Sequence, residues 1–142
     1  MVFDETEKEL TNEDVTTFEC SLSINLPDNF KNHYLQSNGG YPPFDHVRGI
    51  ENIFTIDGFL PIKYGALTIE RIIEDYKKSG ITFVEQIPFA NDTGGNIFVL
   101  SVRESDYGAV YIRESEYIDD ESHMWLVQNS FTDFLNSFYN EE

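Results

Sequence analysis

Two neighbouring segments, Asn96 to Val102 and Ala109 to Arg113, constrain this chain most. The first places Ile97 and Val99 on one side of an alternating pattern and Phe98, Leu100 and Val102 on the other. Side chains of a strand point to opposite faces with a period of two, so both of its faces are apolar. Such a strand cannot lie against water and must be covered on both sides. Ser105-Asp106-Tyr107-Gly108 joins the two segments as a hairpin loop. Thr82 to Phe89 is a further strand candidate, closed by the turn signal Asn91-Asp92-Thr93-Gly94-Gly95. Met124 to Val127 is a short strand, and Ile50 to Phe59 alternates as an earlier one.

The cover comes from four predicted helices. Thr11 caps a first helix through Leu22, with Asp14 three positions on and Val15, Phe18 and Leu22 on one face. Leu26-Pro27 opens a second, with Pro27 at the first helical position and Phe30, Tyr34 and Leu35 inward. Asn38-Gly39-Gly40 stops it, and Pro42-Pro43 blocks continuation. Thr68 caps a third through Lys78, with Ile69, Ile72, Ile73 and Tyr76 as its apolar face and Gly80 at its end. Ser130 and Asp133 start a last helix that presents Phe131, Phe134, Leu135 and Phe138. Strands grouped as hairpins among helices predict an α+β fold: a mixed, mostly antiparallel sheet with helices packed against it. The 142 residues suit one domain over 1–142, with the polar segment 1–10 as a flexible arm.

Nine Lys and Arg stand against 26 Asp and Glu, a net charge of −17. This charge repels phosphate backbones and anionic membrane surfaces, which argues against direct nucleic-acid or membrane binding. It attracts a basic protein, although solubility alone is an equally good account of it. Cys20 is the only cysteine, which rules out an internal disulfide and fits a reducing cytoplasm. The acidic start MVFDETEKEL does not read as a signal peptide. No run approaches the roughly 18 apolar residues of a membrane span.

Catalytic patterns are scarce. There is no phosphate-binding Gly-rich loop, and His33, His46 and His123 lack metal-site spacing. The pair Asp45-His46 reads as surface loop, and nothing places a histidine beside Cys20. Asn91 to Asn96 lacks the ligand spacing of a calcium loop. The chain is therefore expected to be no enzyme, with no catalytic residue, metal ligand or cofactor. Carboxylates are plentiful in two loops. Glu104 and Asp106, with Tyr107, occupy the hairpin tip. Glu114, Glu116, Asp119, Asp120 and Glu121, with Tyr117, occupy the loop after the second hairpin strand. They are read either as solvated surface or as a partner-binding patch in which tyrosines act as anchors.

Four blocks in order resemble the SUKH superfamily, which includes the fungal Smi/Knr cell-wall-synthesis regulators. Leu26-Pro27-Asp28-Asn29-Phe30-Lys31, Tyr34-Leu35 and Asn38-Gly39-Gly40-Tyr41-Pro42 resemble its LPxxYKxFLLxxNGGxP signature. Ile53-Phe54 looks like the strand that follows. Ile87 to Asn96 is similar to its iPfAxDxGGN hairpin, with Val110-Tyr111 beyond, and Asn129 to Leu135 to its closing xSFxeFL helix. Tyr111 to Glu116 departs from the family's usual Tyr-Val-Asp or Trp-Asp stretch with a histidine, which bears on subfamily more than on fold. The resemblance implies a bacterial immunity protein that binds and neutralises a cognate polymorphic toxin, often a basic nuclease. The alternative is a non-enzymatic interaction or regulatory module like the fungal proteins. Either is compatible with a monomer or weak homodimer.

Overall fold

A computed structural model describes residues 1–141, and of Glu121 only the backbone. In chain order its main elements are α1 (Asn12–Leu22), α2 (Asp28–Gln36), β1 (His46–Arg48), β2 (Ile53–Thr55), α3 (Ile69–Lys78), β3 (Gln86–Asn91), β4 (Ile97–Ser101), β5 (Val110–Arg113), β6 (Met124–Gln128), α4 (Phe131–Asn136) and β7 (Phe138–Tyr139). The fold is α+β. The larger sheet has the order β3-β4-β5-β6 and the smaller β2-β1-β7, with every pairing antiparallel.

The doubly apolar β4 lies inside the larger sheet and is covered on both faces. Phe98 and Leu100 enter a main core with Ile87 and Phe89 of β3, Phe30 and Tyr34 of α2, and Phe131 and Phe134 of α4. Ile97 and Val99 enter a second cluster with Ile118, Tyr76, Ile81 and Phe83. Phe89 meets Phe30, Phe131 and Phe134 edge-on at 5.5 to 5.7 Å between ring centres, the arrangement that aromatic quadrupoles favour. The Tyr34 hydroxyl donates to the Leu60 carbonyl at 2.8 Å, so its burial leaves no unmade bond.

Local signals predict the helix starts well. Thr11, Thr68 and Ser130 each accept a hydrogen bond from the backbone three residues on, and Thr11 with Asp14 completes a reciprocal capping box. Pro27 is the N-cap of α2 rather than its first helical residue. Asn38 does more than help end that helix. Its buried amide donates to the Lys8 and Ile62 carbonyls, and its oxygen accepts from Ile62 N–H at 2.7 Å. Gly39 and Gly40 have φ of +74° and +91°. A Cβ on Gly40 would stand 2.5 Å from the Asp4 carbonyl oxygen.

That close approach corrects the expectation of a flexible arm over 1–10. Asp4 and Tyr41 exchange backbone hydrogen bonds at 2.8 and 2.9 Å, Glu7 N–H donates to Asn38, and Phe3 and Leu10 are buried. Ile50 to Phe59 does not form one long strand. Only Ile53–Thr55 pairs with β1, while Asp57, Gly58 and Leu60 bond to the outer edge of β3. Thr82 to Glu85 is irregular, with Glu85 at φ +53°, and the strand begins at Gln86. Phe138 leaves the last helix for β7, and His46 lies in a strand rather than a loop. The smaller sheet fastens the chain end to its middle, with Val47 opposite Phe138.

Candidate functional site

The structure divides the predicted partner-binding residues into two groups at opposite ends of β5. Glu104, Asp106 and Tyr107 stand at the β4–β5 tip. Asp106 accepts from Ser101 Oγ at 2.5 Å, from the Tyr111 hydroxyl at 2.6 Å and from the Arg103 guanidinium. Burial disfavours its charge, but these donors outweigh burial and hold its pKa down to about 2. It is an internal brace of the hairpin. The Tyr107 hydroxyl donates to the Asn25 carbonyl at 2.7 Å, which ties the tip to the α1–α2 turn. Glu104 is exposed beside it.

Beyond β5, the chain makes two 3-10 turns, Ser115–Tyr117 and Glu121–His123. Ile118 pins this loop by burying its side chain in the second cluster, and its carbonyl accepts from the Arg113 guanidinium. Arg113 itself lies under the opposite face of the sheet, over the Phe83 ring and bonded to Gln86. Tyr117 stacks on His123 with ring centres 3.9 Å apart. Asp120 accepts from the Ser122 hydroxyl and N–H, which lower its pKa, and Asp119 is exposed. The Glu121 side chain lies outside the described residues.

Glu114 and Glu116 open onto a cleft of about 400 Å³ between the two sheets. Its apolar walls are Phe54 of β2, Ile112 of β5 and Trp125 of β6. Ile112 and Trp125 are cross-strand partners and so share one face. Phe54 is held edge-on to Phe98 at 6.4 Å. Polar atoms come from Asn52, Asp92, Asn96, Glu114 and Glu116, so among the described residues the lining contains three carboxylates and no Lys or Arg. Trp125 is 45% exposed, and its indole N–H donates to Glu114 Oε1 at 2.8 Å. Glu114 Oε2 lies 3.7 Å from His123 Nδ1.

The cleft is braced from beneath. Asp92 Oδ1 accepts from Gly94 and Asn96 N–H, and Oδ2 from the Asn96 amide. Asn96 Oδ1 in turn accepts Ser115 N–H at 2.9 Å, which ties the β3–β4 turn to the loop after β5. Sequence reasoning named Glu114 and Glu116 but missed Phe54, Asp92 and Trp125. Two signals mark the region: Trp125 is the only tryptophan, and no Lys or Arg follows Arg113.

The histidines occupy three separate environments. His33 is boxed by the rings of Phe3, Tyr34, Phe59 and Phe131. His46 contacts Asp45 and Glu141, and His123 stacks on Tyr117. Among the described residues no group of three or more His, Cys, Asp or Glu could hold a metal ion, and no helix is long and apolar enough to cross a membrane.

The family model described as SMI1 / KNR4 family (SUKH-1) matches residues 9–137, which span every residue of the cleft. No curated protein matches the chain.

Proposed function

The chain belongs to the SMI1 / KNR4 family (SUKH-1), and on that premise we propose that it is a bacterial immunity protein that binds and neutralises a cognate polymorphic toxin. The favoured partner is a basic, nuclease-type toxin domain, met in the cytoplasm by a single docking domain that performs no chemistry of its own. The observation that carries this reading is the cleft: exposed aromatic surface framed by Asp92, Glu114 and Glu116, with no Lys or Arg among the described residues of its lining. Large rings beside charge complementarity are what dominant interface contacts are made of. The net charge of −17 steers a basic partner into encounter, and cleft carboxylates stand where substrate phosphates would on a nuclease. Tyr117, Asp119 and Asp120 of the outer loop form the rim of this reading, Glu104 and Tyr107 at the far end of β5 stand outside the dock, and Asp106 takes a structural role.

The test uses the toxin domain encoded by the neighbouring gene. Binding to the wild type and to the double variant Glu114→Lys/Glu116→Lys is measured by calorimetry and stopped flow at several salt concentrations. Affinity is expected to fall at least tenfold in the double variant with a flatter salt dependence, while Glu104→Lys changes it less than twofold. Unchanged affinity and salt slope in the double variant rejects the cleft as the docking site.

A further inference from the structure

We infer that the cleft is a receptor for a single arginine side chain presented by the partner protein, an inference that rests on the docking reading above and gives it a chemistry. Three features converge on a guanidinium. The first is a ring surface: Trp125, 45% exposed as a residue, lines the cleft together with Phe54. A cation over an indole face is attracted by the ring quadrupole, and tryptophan is the strongest such ring. The second is negative charge from two separate segments, with Asp92 on the β3–β4 turn and Glu114 and Glu116 on the loop after β5. A flat group with five N–H donors can stack on the ring and still reach carboxylates at its edge. The compact, strongly hydrated ammonium of lysine does one or the other. The third is preorganisation. Glu114 is anchored by the indole N–H at 2.8 Å, Asp92 accepts three hydrogen bonds from its own turn, and Asn96 ties turn to loop. Walls already fixed in the free protein lose little freedom on binding. Among the described residues no Lys or Arg lines the cleft, and Arg113, next to Glu114 in sequence, is engaged on the other face of the sheet.

The occupant is an arginine on a protein rather than a second copy of this chain. Two copies at −17 each would bring like charges together across the cleft.

Trp125 is the only tryptophan, so its fluorescence reports the cleft alone. The intact protein is titrated with three pentapeptides, acetyl-Gly-Ser-Xaa-Ser-Gly-amide, in which Xaa is Arg, Lys or citrulline. The Arg peptide is expected to perturb Trp125 emission and to bind at least fivefold more tightly than the Lys peptide, with no response to neutral citrulline. Glu114→Gln/Glu116→Gln weakens the Arg peptide at least tenfold, and Glu104→Gln leaves it within twofold. The inference is overturned by no response to millimolar Arg peptide, by equal binding of Arg and Lys or citrulline peptides, or by indifference to Glu114→Gln/Glu116→Gln. It is also overturned if Trp125 emission changes with protein concentration alone, which assigns the cleft to a second copy. Equal Arg and Lys binding beside lost toxin capture in the charge-reversed variant removes the arginine and leaves the docking reading. Arg-selective binding beside undiminished toxin capture does the reverse.

Discussion

His33 makes the stability of this protein depend on acidity in a calculable way. Its imidazole sits among the rings of Phe3, Tyr34, Phe59 and Phe131, with centroids at 4.9 to 5.5 Å, and Nε2 is buried with no partner. None of the four rings is charged near neutrality, and burial raises the Tyr34 phenol well above its ordinary range. Burial pushes the His33 pKa down from 6.5 to about 4, because a charged imidazolium loses hydration there without gaining a partner. Above pH 6.5 the ring is neutral in both the folded and the unfolded chain and contributes no pH dependence. As pH falls from 6.5 towards 4, only the unfolded chain takes up the proton, so stability falls. Below about 4 the folded state also binds it and the loss is complete. At about 1.4 kcal/mol per pH unit the interval amounts to ~3 kcal/mol. Part of the ring touches solvent, which reduces the expected loss to about 2 kcal/mol. Urea unfolding followed by far-ultraviolet circular dichroism at pH 7.5, 6.0, 5.0 and 4.2, for the wild type and His33→Phe, isolates this contribution, since all other groups cancel in the difference. The difference in stability is expected to shift by about 2 kcal/mol in favour of the variant across that range. Parallel curves would refute the account of His33 as a neutral, unpartnered group.

Two further predictions concern the frame of the fold away from the cleft. Gly40→Ala, at φ +91° with its new Cβ 2.5 Å from the Asp4 carbonyl oxygen, is expected to cost more than about 2 kcal/mol by thermal melting. Gly95→Ala, at φ +89° in open space, should cost only about 1 kcal/mol, and equal costs would show that the packing of residues 1–10 is not what Gly40 serves. Asp106→Asn removes a carboxylate whose folded pKa of about 2 lies below the ordinary 3.8. It should lose about 2 kcal/mol at pH 7 and should lack the fall in stability that the wild type shows as pH drops from 3.8 through 2, with partner binding within twofold of wild type.

Where the sequence alone succeeded, the signals are short-range. A cap is a contact between positions three apart, as in Thr11–Asp14, Thr68–Arg71 and Ser130–Asp133. The two-faced pattern of β4 is likewise written in consecutive residues, and it demanded the cover on both sides that the fold supplies. Such features dictate the α+β class, the helix positions and the β4–β5 hairpin before any long-range contact is known.

Tertiary structure decided what depends on distant parts of the chain. β1 and β7 are three and two residues long, too short for a periodic signal, and exist because Val47 meets Phe138 across the fold. Residues 1–10 look like a polar arm until Phe3 finds the Phe59 and His33 rings. Asp106 and Glu114 are eight positions apart and read as one acidic patch, yet β5 holds them at its two ends, at least ~10 Å apart along a strand that rises about 3.3 Å per residue. The cleft is the clearest case. Phe54, Asp92, Glu114 and Trp125 come from four segments, and no local pattern links them. The chain's composition made it strongly anionic, but only the meeting of two sheets decided which carboxylates stand beside an exposed ring.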